Sequence, residues 1–96
     1  MALTKKTPDI SSFEDHTRVW VFQSSKVLTD VDQLEISSIL DDFLVKWAAH
    51  GADLYAGFEI RFDRFIVIAV DEHRAPATGC SIDSMMKVVQ QIDQHY

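Results

Sequence analysis

The chain has 96 residues, one domain's worth, and at 47% hydrophobic and 25% charged it has the composition of an ordinary folded protein. A net charge of -6 and a pI near 4.9, with Lys and Arg scattered singly, exclude the basic face that nucleic acid or an anionic membrane surface needs. No stretch approaches the roughly 20 apolar residues that span a bilayer, no apolar run follows Lys5 and Lys6 as a secretory signal requires, and the single cysteine, Cys80, cannot form an intrachain disulfide, so a cytoplasmic setting is expected.

Residues 1–16 are polar, contain Pro8, and are expected to form a loosely held arm ahead of one domain over 17–96. Residues 18–23 (RVWVFQ) predict a strand buried on both faces, because Val19, Trp20, Val21 and Phe22 run without interruption. Thr29 is a good helix cap, with Asp32 at the capping-box position. Leu34, Ile36, Ile39, Leu40, Phe43, Leu44 and Trp47 then recur at helical spacing, and His50 and Gly51 are expected to close the helix. The pair Asp41 and Asp42 on this helix reads as solvent-facing.

Residues 54–61 and 65–72 predict two strands joined by a short antiparallel hairpin at Phe62, Asp63 and Arg64, the second (FIVIAV) central in its sheet. Residues 73–79 are a loop containing Pro76. A last helix begins near Ser81, capped by Ser81 or Cys80, with Ile82, Met85, Met86, Val89, Ile92 and Tyr96 on its apolar face. Trp20 and Trp47 read as core anchors. The order strand, helix, strand, strand, helix predicts an α+β two-layer sandwich of ferredoxin-like order β-α-β-β-α with the last strand missing. The first strand would then lie at a sheet edge with unpaired backbone groups.

Residues 71–84 concentrate the groups that could do chemistry. Asp71, His73 and Arg74 leave the central strand, and Gly79, Cys80, Ser81 and Ser84 open the last helix. Free N–H groups at a helix start can hold an anion, and the same dipole can stabilise a thiolate, so Cys80, His73 and Asp71 are the catalytic candidates. Gly79, Cys80, Ser81, Ser84 and Arg74 are the ligand-binding ones. The competing reading is structural: serines begin helices and acidic residues complement the dipole there. The four His and one Cys show no close ligand spacing, so neither a metal nor another cofactor is expected.

Arg18-Val19-Trp20, Trp47 with His50-Gly51, Arg64-Phe65-Ile66, Ala69-Val70-Asp71-Glu72 and above all Gly79-Cys80-Ser81-Ile82-Asp83-Ser84 resemble a set of small bacterial proteins commonly labelled "ABC transporter ATPase". The resemblance runs from about residue 17 to the end and implies no established activity. Its members continue past the second helix, so this chain is expected to be a short relative or a truncated domain. ATP hydrolysis is excluded on chemical grounds: Gly51, Gly57 and Gly79 are the only glycines, and none precedes the Lys-Ser/Thr of a phosphate-cradling loop.

The function expected is therefore non-enzymatic: association, as a homodimer or with a protein partner, through an exposed sheet edge at 18–23. The alternative is an enzyme-like or anion-binding site at the Cys80 helix start.

Overall fold

The computed structural model describes residues 7–14, 17–49, 51–73 and 75–96. They form a small α+β domain with two helices and antiparallel sheets. The main sheet contains β1 (Thr17–Gln23), β4 (Ala56–Arg61) and β5 (Phe65–Asp71), in the order β1-β5-β4. Two helices, α1 (Asp30–Leu44) and α2 (Gly79–His95), accompany a two-stranded sheet of β2 (Ala48–Ala49) and β3 (Ala52–Asp53).

β5 is central, as its continuous apolar run predicted, and pairs antiparallel with both neighbours. Register sets the faces. Trp20 and Phe58 both oppose Ile68, while Phe22 and Ile60 both oppose Ile66, so these side chains share the core face. Ile68, Val70, Ile36, Leu40, Leu44 and Met85 are the largest side chains almost wholly out of water.

α1 starts where its sequence said. Thr29 Oγ1 accepts from Asp32 N–H, and Asp32 Oδ2 accepts from Thr29 N–H, each at 3.1 Å. Its end is a correction: the helix stops at Leu44, not at His50 and Gly51, of which His50 lies outside the described residues. Trp47 kept the helical spacing alive on paper, yet it is buried by a turn in which Trp47 N–H reaches Leu44 O at 3.2 Å. Gly51 does take the left-handed conformation, φ 81°, but to turn β2 into β3, which returns Leu54 N–H to Trp47 O at 3.0 Å.

β1 is not buried on both faces: Val19 and Val21 are 50% and 60% exposed. Leu34 and Ile39 of α1 are likewise exposed rather than packed. The hairpin between β4 and β5 uses left-handed backbone at Phe62 and Asp63, φ 54° and 56°. Asp63 anchors this turn by accepting Gln33 Nε2–H at 2.9 Å and Leu28 N–H at 2.7 Å.

Residues 7–13, within the segment expected to be a loose arm, are seated on the domain. Thr7 N–H and Oγ1–H both donate to Asp41 Oδ1, at 3.0 and 2.7 Å. Asp41 is therefore buried, 4% exposed, against the solvent-facing reading. The chain then crosses β4 at Gly57 and stacks Phe13 on Tyr55, ring centroids 5.3 Å apart.

At the far end, Tyr96 Oη–H donates to Glu35 at 2.8 Å and ties α2 to α1. That bond first, then burial and the Glu35 charge, hold the phenol above its ordinary 10.0. A raised acid stabilises the fold below the phenol's ordinary value and loses that contribution as pH climbs through the raised one. Glu35→Ala is expected to return the phenolate transition, followed by absorbance, to lower pH; an unmoved transition would show that the bond is absent in solution.

Candidate functional site

The 71–84 corner comes together, but its polar groups serve the turn. Asp71 Oδ1 accepts from His73 N–H at 3.0 Å, and Glu72 Oε2 accepts from Ala77 N–H at 2.9 Å, a carboxylate already holding a loop amide ahead of α2. The helix cap is Thr78, one correction to the reading of Ser81 or Cys80 as cap. Ser81 instead sits at the third helical position and is buried. Its Oγ accepts from Thr78 N–H at 2.7 Å and donates to Thr78 O at 2.8 Å, so neither function is left for a ligand. Its carbonyl takes Trp47 Nε1–H at 2.8 Å, which pins α2 to the segment after α1.

Ser84 Oγ–H donates to Cys80 O at 3.1 Å. Cys80 and Gly79 are exposed on the first turn, and His73 is exposed on the loop. No atom lies within 4 Å of a Cβ built on Gly79, so no close approach requires glycine there. Arg74 lies outside the described residues. Among the described residues, no three His, Cys, Asp or Glu side chains gather as metal ligands, and no helix is long and apolar enough to cross a membrane.

The sheet edge offers more. Among the described residues, β1 has β5 on one side and no strand on the other. Ser24 N–H donates to Arg64 O at 2.7 Å, extending the register in which Gln23 opposes Phe65. Backbone direction alternates along an antiparallel strand, so Arg18, Trp20 and Phe22 bond toward β5, while Val19 and Val21 aim N–H and C=O into the open edge. The side chains of Val19 and Val21 stand on the sheet face opposite the core face. Beneath that edge, Trp20 and Phe22 are only half-buried. Beside Phe22, a cavity of about 50 Å³ opens toward α2, lined by Ile66, Val89, Ile92, Asp93 and Tyr96 among others. Arg18 lays its guanidinium over the Trp20 ring, 5.2 Å from the centroid.

The outer face is covered at β4. Gly57 and Val19 both oppose Ala69, so the Cβ direction of Gly57 is the face away from the core, and a Cβ there would collide with Pro8 O and lie 2.8 Å from Ile10 Cγ2; residues 8–10 run directly across that face of β4. Sequence reasoning reached the exposed β1 edge but not this crossing. A glycine inside an otherwise regular strand was the signal for it.

The chain matches no protein-family model, and neither a curated protein nor a solved structure shows significant similarity to it.

Proposed function

We propose that the domain works by association, adding a strand of a second copy to the free edge of β1. The carrying observation is a seven-residue strand with one side unpaired among the described residues and with Val19 and Val21 exposed beside it. Unpaired strand edges are templates for further strands unless they are short, charged or covered. β1 is of ordinary length, carries a single charge at Arg18, and among the described residues has no strand along its outer side. Reading the domain as a ferredoxin-like sandwich supports the same place, since that fold's last strand would pair beside β1. The setting proposed is cytoplasmic. The resemblance to small bacterial proteins adds no reaction to this reading.

The rival site at Cys80 has less support, because Ser81 spends its hydroxyl on the cap and Glu72 already occupies a loop amide before the helix.

Proline scanning tests the proposal. Val21→Pro removes an N–H that faces the open edge, which an edge strand tolerates, and is expected to leave a folded monomer. Trp20→Pro removes an N–H bonded to β5 and is expected to unfold the chain. Sedimentation equilibrium at micromolar concentration reads the result. A wild-type chain that sediments only as a monomer, or a Val21→Pro chain that still dimerises, overturns the proposal.

A further inference from the structure

We infer that the second copy sits in one register: antiparallel, with Trp20 opposite the partner's Trp20, so that Arg18 of each copy reaches the partner's Asp93. This rests on the edge reading above and specifies its partner surface. Backbone direction restricts the choice. Only residues of the parity of Val19 and Val21 point outward, so hydrogen-bonded pairs across a two-fold axis must join members of that set. Among those registers, the one centred on Trp20 pairs the whole of Thr17–Gln23 with itself. Val19 then opposes the partner's Val21 twice, on the outer face. Shifting the centre to Val21 instead sets Val19 against the partner's Gln23 and shortens the ladder.

Charge selects the same register. Two chains of net charge -6 repel, so close approach needs opposite charges placed locally. In this pairing Arg18 opposes the partner's Phe22 on the core face. Phe22 and Asp93 line one cavity, at the end of α2 beside β1. The partner's guanidinium therefore arrives next to a carboxylate, and symmetry makes the contact twice. Arg18 is exposed and stacked on Trp20, so it is held at the edge rather than spent in the core.

Charge reversal and cross-linking test the register. Arg18→Glu and Asp93→Arg each place like charges together and are expected to weaken the dimer roughly tenfold or more, while the double variant recovers most of the loss. In a Cys80→Ser background, Val19→Cys chains mixed with Val21→Cys chains are expected to form a disulfide-linked pair on oxidation, and neither variant alone is. Circular dichroism of each variant checks that it folds. Single reversals without effect, a double variant that falls further, or a link formed by Val21→Cys alone overturns the register. A dimer that still dissociates with Val21→Pro in those cases keeps the edge reading, whereas a monomeric wild type removes both.

Discussion

Trp47→Ala is expected to destabilise the domain by about 4 kcal/mol, the largest loss of any single change considered. Trp47 is 3% exposed, its ring lies 6.1 Å from that of Trp20 and 5.7 Å from that of Phe43, and its N–H is satisfied by Ser81 O. Alanine deletes the ring that joins the end of α1, the start of α2 and the inner face of β1 at one point. A domain of this size has a total stability of roughly 5–15 kcal/mol, so much of the margin goes with it. Trp47→Phe separates the two contributions. It keeps most of the apolar volume but drops the donor to Ser81 O, and a loss of about 1–2 kcal/mol is expected. Urea unfolding measures both, as a shift in midpoint with unchanged slope. Equal losses for the two variants would mean that the hydrogen bond, not the ring, holds this junction.

Gly57→Ala is the second large effect, and it acts on a segment distant in sequence. The added methyl would lie inside contact distance of the Pro8 carbonyl oxygen and the Ile10 side chain, and a backbone atom has little freedom to retreat. Residues 7–13 must lift or β4 must shift, at a cost of about 2 kcal/mol. Hydrogen exchange is expected to rise across residues 7–13 first. Asp41→Ala loosens the same segment from its other end by deleting the acceptor of both Thr7 bonds, again at about 2 kcal/mol. Because both changes release one segment, their double variant should lose less than the sum. Strict additivity, or unaltered exchange at residues 7–13 in Gly57→Ala, would show that the crossing is not a cooperative part of the fold.

Local chemistry was the readable part of the chain. The Thr29 and Asp32 pair announced the start of α1, and the FIVIAV run announced the central strand, because each signal is complete within a few neighbouring residues. The place of β1 at the edge of the sheet formed by the described residues was also legible, as the consequence of an element order with no fourth strand in view. Where periodicity stood in for geometry, the reading failed. Trp47 repeats the α1 spacing but reaches the core through a turn, and Val19 and Val21 are apolar yet wet because they stand on the face of the sheet opposite the core. Asp41 looked like one of a surface pair until Thr7, remote from it in sequence, supplied two donors. The 71–84 segment showed the right residue types for chemistry. What composition could not show was that Ser81 would direct its hydroxyl back to Thr78.

The crossing at Gly57 makes one short stretch of chain touch both sides of the sheet. Thr7 is bonded to Asp41 of α1 on the core side, while Pro8 and Ile10 lie against Gly57 on the outer side, so residues 7–10 clasp the sheet at β4. Opening that clasp would bare Gly57 and Ala69 together, a loss of apolar cover on top of the two hydrogen bonds.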